Sequence, residues 1–231
     1  MTEKPARSSN VKGWGSLAEV AHARLKEAIQ AHEFEPGQRM READIAGWLG
    51  ISRTPTRDAL RQLESEGLLR SAPRRGLVVA TLDHHRVSEI YDVRAVLESL
   101  AARRAARQAT SAEIALLRGN LKRQDEADPE DIPLLLELNR SFHGGIYQAA
   151  RNRYLLSTVE ALATPLALLR GTTYARPERR IEALEQHRRI LAAMENHDGD
   201  LAAHLAAEHV RAAEQIRLMN LAENPPKTVA E

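Results

Sequence analysis

Apolar side chains recur along this chain mostly three and four residues apart, and strand-like character is confined to one short stretch. Leu17, Val20, Ala21, Leu25 and Ile29 predict a helix over 17–32, which Pro36-Gly37 stops in a turn. Arg39-Met40 reads as a short strand edge. Ile45, Trp48 and Leu49 mark a second helix over 42–49, and Gly50 then supplies the left-handed backbone that turns the chain sharply. Ser52 is placed to cap a third helix, its hydroxyl accepting from the free N–H groups of the first turn, while Ala59, Leu60, Leu63 and Leu68 form an apolar seam. Gly67 ends that helix. Two strands follow, 68–71 and 77–80, around the tip Ala72-Pro73-Arg74-Arg75-Gly76. Beyond the linker Thr81-Leu82-Asp83 the pattern changes to long Ala/Leu-rich helices, predicted over 84–108, 111–128, 132–149, 153–170, 177–196 and 199–221. The fold class is therefore mainly α: a winged helix-turn-helix with a small β-wing over 16–80, the linker 81–83, and an all-α bundle over 84–222. Residues 1–15 and 223–231 have the composition of flexible tails.

The third helix keeps Arg53, Thr54, Thr56 and Arg57 for its outer side. A helix entering the major groove reads base edges with its N-terminal residues. Arg53 and Arg57, at i and i+4, share one face from which either can fork onto a guanine, and Thr54 and Thr56 suit a phosphate or a thymine methyl. Pro55 lies inside the first turn, where its missing N–H costs nothing. At the wing tip, Gly76 lets the backbone come close and Arg74 and Arg75 favour the negative minor groove.

Charge sharpens this. The net +1 of the whole chain hides a division between residues 1–80, with 13 Lys and Arg against 10 Asp and Glu, and a remainder that is net −2. Between positions 53 and 75 six arginines face three acidic residues, so positive field is concentrated on the third helix and wing. The plain alternative is an αα-hairpin with a solvated basic face. Cysteine is absent and no apolar run reaches membrane-span or signal-peptide length, so no membrane partner and a cytoplasmic location are expected.

The run PGQRMREADIAGWLGISRTPTRDALRQLESEGLLR, within 17–80, resembles the DNA-binding domain of a bacterial GntR-family regulator. The resemblance implies a homodimer on a double-stranded, palindromic operator, contacted through Arg53, Thr54, Thr56 and Arg57 and through the wing at Arg74, Arg75 and Gly76. One position departs from the family pattern: Ala43 stands where many members carry an Arg, and Arg39 or Arg41 only partly replaces it.

Of nine histidines, three fall on or beside apolar faces. Leu135, Leu138, Phe142 and Ile146 mark one stripe with Asn139 and His143 beside it at i, i+4. Leu184, Leu191 and Met194 share a face with His187, and Leu201, Leu205, Ala212 and Ile216 adjoin His209. Three imidazoles and one amide oxygen can thus converge inside a bundle, a donor set suited to Zn, Ni, Fe or Cu rather than Mg or Ca. Taken singly, each histidine is more often a hydrogen-bonded core residue. The region resembles the FCD-like effector domain of the FadR-type GntR subfamily, whose metal is held by an Asp and a His four apart on one helix and by a His on each of two later helices. NRSFH, EQHRRIL and HLAAEHVRAA match those elements, which implies Asn139, His143, His187 and His209 as ligands to a divalent transition metal, zinc first, with Ni or Fe also suited. Asn139 is the departure, since an amide oxygen carries no charge.

Arg94, in YDVRAVLESLAARRAA, is implied as the guide for a small carboxylate effector, because guanidinium pairs with carboxylate bidentately. A salt bridge to Glu98 at i+4 is the equal alternative. Tyr147, Arg170 and Tyr174 are further pocket candidates. The expected function is a ligand-responsive transcriptional repressor. The rival is a metal-dependent hydrolase or isomerase, which lacks a convincing general base: only Glu208 lies near a ligand, and no HExxH is present. A helical domain that only dimerises is a third reading.

Overall fold

A computed structural model describes residues 16–169 and 171–223 and divides the chain into two compact units, Met1–Ala80 and Thr81–Glu231. The tails at 1–15 and 224–231 lie outside the described residues, and so does the pocket candidate Arg170.

In the first unit, α1 (Leu17–Gln30) begins in a capping box: the Ser16 hydroxyl accepts from Glu19 N–H, and the Glu19 carboxylate accepts from Ser16 N–H at 2.6 Å. α2 (Glu42–Leu49) ends at Gly50, whose φ of 72° is the left-handed turn read from the sequence. α3 (Arg53–Ser65) follows at once. Ala21, Leu25 and Ile29 of α1, Ile45 and Leu49 of α2, and Ala59, Leu60 and Leu63 of α3 form the buried seam. Trp48 departs from the predicted apolar set. It is 42% exposed, set edge-on against Phe34 with Arg24 over its ring.

β1 (Leu69–Ala72) and β2 (Gly76–Val79) pair antiparallel, Leu69 opposite Val79 and Ala72 opposite Gly76. The strands keep the register that the predicted ranges imply but lie one residue nearer the tip, which narrows it to 73–75. The predicted edge at Arg39-Met40 is present as a bridge from Arg39 to Val78, with Met40 N–H donating to Leu77 O. It covers the outer side of β2, which would otherwise offer unpaired backbone groups.

The second unit comprises α4 (His84–Gln108), α5 (Ser111–Glu126), α6 (Ile132–Ala149), α7 (Arg153–Leu166), a 3-10 turn (Thr173–Ala175), α8 (Pro177–Glu195) and α9 (Gly199–Glu223). Asp83, Thr110, Asp131 and Asn152 each accept a first-turn N–H, which fixes where α4 to α7 start. α7 stops earlier than its apolar pattern suggests. Pro165 has no N–H to continue the ladder, and the chain tightens into i→i−3 bonds, Leu168 N–H to Pro165 O and Leu169 N–H to Leu166 O.

Ala101, Ala102, Ala105 and Ala106 give α4 a flat, fully buried face, against which Ala202, Leu205 and Ala206 of α9 and Phe142, Ile146, Ile190 and Met194 complete one core. Small side chains on α4 let long helices approach closely, which is the structural use of the alanine-rich composition. Gly145 serves the same end between α5 and α6: a Cβ there would stand 2.7 Å from Leu117 Cδ2.

Candidate nucleic-acid interface and metal centre

The outer side of α3 presents Arg53, Thr54 and Arg57, with Arg61 extending the stripe by a turn. Thr56 departs from the expectation. It is fully buried and its hydroxyl donates to Ser52 O at 2.9 Å, so it pins the first turn and meets no ligand. Spacing is the cause: Thr56 precedes Ala59 by three residues and Leu60 by four, on the packed face. Ser52 stands at the N-cap with extended backbone, but contrary to expectation its hydroxyl caps nothing, leaving first-turn N–H groups for solvent or an anion.

Arg57 is already engaged. Its Nε and Nη2 donate to Glu42 Oε1 and Oε2 at 2.7 and 2.8 Å, a bidentate pair that joins α3 to α2 and lowers the Glu42 carboxyl below its usual range. Arg53 and Thr54 are exposed, as are Arg74, Arg75 and Gly76 at the wing. Arg39, which the bridge holds beside the wing, brings Nη2 to 4.0 Å from where a Cβ on Gly76 would lie, adding a cation there. Ala43 is exposed in the first turn of α2.

Inside the second unit, α6, α8 and α9 bring His143, His187 and His209 together, with one ligand nitrogen from each lying within 4.8 Å of the others. His187 Nε2 and His209 Nε2 are 3.4 Å apart. Two nitrogens bound to one tetrahedral ion at about 2.0–2.1 Å stand roughly 3.3–3.4 Å apart, so this donor set fits a transition metal. His187 and His209 are buried, and burial, then the charges of neighbouring groups, lowers both well beneath the ordinary histidine range. Both are therefore neutral at pH 7, the state a metal requires. Phe142 stacks on His187 with ring centres 4.3 Å apart.

The three rings are held differently. His143 Nδ1 faces Glu98 Oε2 at 3.1 Å, His209 Nδ1 faces Gln186 Oε1 at 2.8 Å, and His187 Nδ1 is buried with no partner. The carboxylate assigns Nδ1–H to His143, and at His209 the Gln186 oxygen, closer than the Arg179 Nη2 that lies 3.3 Å from the same nitrogen, favours the same tautomer, leaving Nε2 for the cluster. Asn139 takes another partner: its Oδ1 accepts from the Tyr174 hydroxyl at 2.8 Å. Arg94 forms the i+4 pair with Glu98, Nη2 to Oε1 at 2.7 Å and Nε to Oε1 at 3.1 Å. Burial alone would raise the Glu98 carboxyl, but Arg94 and then His143 carry it down to about 2. Tyr147, half-buried beside His143, is held far above its ordinary range by burial and by the Glu98 charge.

The Arg94–Glu98 pair was read from the sequence, but the contact of Glu98 with His143 and the whole role of Arg179 were not. Glu98 is 3% exposed on the stripe Tyr91, Ala95, Ala102, Ala105. Arg179 is 2% exposed on the stripe that runs to Ala183 and His187, with Nη1 donating to Gln186 Oε1 at 2.8 Å and Nη2 to His209 O at 3.3 Å. In both cases the available signal was a charge on an apolar stripe. A separate groove of about 240 Å³ is lined by Gln124, Leu135, Tyr174, Arg180, Ile181 and Leu184 among others, and Tyr174 also donates its hydroxyl to Asn139.

Comparison with known proteins places this geometry. The gntR family of bacterial regulatory proteins matches residues 17–79, and the FCD domain matches residues 89–212, more than half of the chain. This chain belongs to the GntR family. The "Nta operon transcriptional regulator" of Aminobacter aminovorans is 32% identical over 78% of this chain and 85% of its own. The "HTH-type transcriptional repressor RspR" of Escherichia coli is 27% identical over 76% of this chain and 78% of its own. Among solved structures, E. coli McbR/YncC superposes with a TM-score of 0.70 at 27% identity, covering 89% of this chain and 99% of that one. This GntR-family chain is accordingly a DNA-binding transcriptional regulator with an FCD effector domain. The hydrolase or isomerase alternative is not supported: the relatives are named as regulators, and Glu208 is exposed, pairing with His204 and Arg189. Among the described residues no helix is long and apolar enough to cross a membrane.

Proposed function

We propose that this regulator is a cytoplasmic repressor that binds a palindromic operator as a homodimer and loosens its hold when a small carboxylate enters the helical unit beside a divalent transition metal. The convergence of His143, His187 and His209 carries the reading, because three imidazoles this close together, two of them buried and neutral, have little other use. Zinc suits the donors best, and nickel or iron(II) also accepts imidazole. An ion held there supplies a positive centre for one carboxylate oxygen. Arg94 uses Nε and Nη2 on Glu98, and its remaining donors, together with the Tyr147 hydroxyl, are the protein's groups for the rest of the ligand.

On the DNA side, Arg53 and Thr54 support a base-reading role by exposure and position, and Arg74, Arg75, Gly76 and Arg39 support wing contacts. Arg57 joins them only by exchanging Glu42 for a base or phosphate. In competition gel shifts Arg53→Ala should lower affinity and also flatten discrimination between operator and unrelated DNA. Unchanged discrimination would remove Arg53 from the base readers. Elemental analysis of protein purified without a His tag should find about one transition metal per chain, and its absence, with thermal stability indifferent to chelator, would end the metal reading. A thermal-shift screen of small organic acids, followed by gel shift of each stabilising acid, tests the effector class.

A further inference from the structure

The three histidines differ in what stands behind them, and the difference bears on the one position where this chain departs from its family's ligand pattern. On α6, Asn139 sits one turn before His143, where a carboxylate would complete a charged ligand set. Its amide nitrogen cannot ligate, and its oxygen accepts from Tyr174, whose ring is buried and whose backbone N–H donates to the Thr172 hydroxyl at 3.1 Å. The candidate ligands therefore bring no negative charge to a dication in a buried place, and burial of uncompensated charge is strongly unfavourable.

We propose that Glu98 supplies the missing negative charge from one bond further out, through His143, and that the metal is held by His143, His187 and His209 without Asn139. The proposal rests on the metal reading given above. Glu98 is the only acidic group in contact with any of the three rings among the described residues. Its two oxygens are divided: Oε1 takes Arg94, and Oε2 takes His143 Nδ1 at 3.1 Å. A carboxylate accepting Nδ1–H fixes the tautomer that frees Nε2, orients the ring, and makes Nε2 a stronger donor. His209 receives only the orienting part of this from the neutral Gln186 amide, which Arg179 holds in place, and His187 receives neither. His143 is thereby the electronically distinct ligand of the set. Arg94 keeps the carboxylate ionised in its buried position and steers the other oxygen toward His143.

The test is Zn²⁺ affinity of the full chain, measured by competition with a chromogenic chelator, for wild type, Glu98→Gln and Asn139→Ala. Glu98→Gln keeps an oxygen for His143 and removes only the charge. It should weaken Zn²⁺ binding 10- to 100-fold, the range found when an outer partner of a metal-bound histidine is altered. Asn139→Ala should stay within about twofold of wild type. Equal affinity in Glu98→Gln, or a tenfold loss in Asn139→Ala, overturns the proposal, whereas no Zn²⁺ binding by wild type would instead overturn the metal reading beneath it. Should Glu98→Gln fail to fold, ¹⁵N shifts of the wild-type histidines decide the matter: with Zn²⁺ bound, His143 should be protonated at Nδ1 and coordinated at Nε2, and the reverse assignment overturns it.

Discussion

His187 shares no hydrogen bond at Nδ1 and meets no solvent, so a proton on it would be stranded. Burial, with the charges of His143 and Arg179, holds it well below the ordinary value near 6.5, and burial with His187 does the same for His209. In the unfolded chain both titrate normally. The native state therefore keeps its full advantage above pH about 6.5 and loses it as the pH falls below, by up to about 1.4 kcal/mol per pH unit for each ring. Metal-free protein should show a falling unfolding free energy between pH 7 and 5, and His187→Gln should roughly halve that slope; an unchanged slope would mean the ring is not buried neutral. Glu98, held at about 2, adds a second loss below pH about 4.5. Thr56→Val should cost about 1 kcal/mol through the lost bond to Ser52 O while leaving exposed cations untouched, as chemical denaturation would read. The three clustered histidines were legible because imidazole on an apolar stripe is conspicuous. The burial of Thr56, the second partner of Glu98 and the place of Arg179 were not, because a threonine suits either side of a helix and a charge on a stripe does not reveal a partner on another helix.

At the scale of elements, the caps account for what the sequence disclosed. Asp83, Thr110, Asp131 and Asn152 each precede an apolar period, and the helices they start begin where predicted. The early end of α7 was hidden because Leu168 and Leu169 continue an apolar pattern past Pro165, which has no N–H for the helical ladder. The strand register and the edge at Arg39 and Met40 were both legible, and only the strand ends lie one residue nearer the tip than predicted. Gly50 carries the turn between α2 and α3 at φ 72°. Gly50→Ala meets no steric neighbour there, so it should destabilise only through the left-handed backbone, by roughly 1 kcal/mol, and weaken operator binding no further than that loss of folded protein explains. A large affinity loss at full foldedness would place Gly50 itself against DNA.

For the molecule as a whole, the division into two compact units predicts two separable unfolding events. The histidine cluster lies wholly within Thr81–Glu231, so Zn²⁺ should raise the melting temperature of that unit and leave the Met1–Ala80 transition in place, by mass action on the folded form alone. Differential scanning calorimetry with and without chelator separates the cases, and a metal shift of both transitions would show that the units unfold together. Operator affinity should also fall steeply with added salt, in proportion to the phosphates neutralised.

The Arg57–Glu42 clamp sets the terms on which the regulator can acquire new targets. Glu42 lies on α2, away from the stripe that faces outward on α3, yet it decides whether Arg57 is a brace or a reader. A change such as Glu42→Gln would unlock a guanidinium for guanine at the cost of one exposed ion pair, which solvent already screens. Drift toward a different operator thus has a low threshold at a residue that no footprint of the bound DNA would single out.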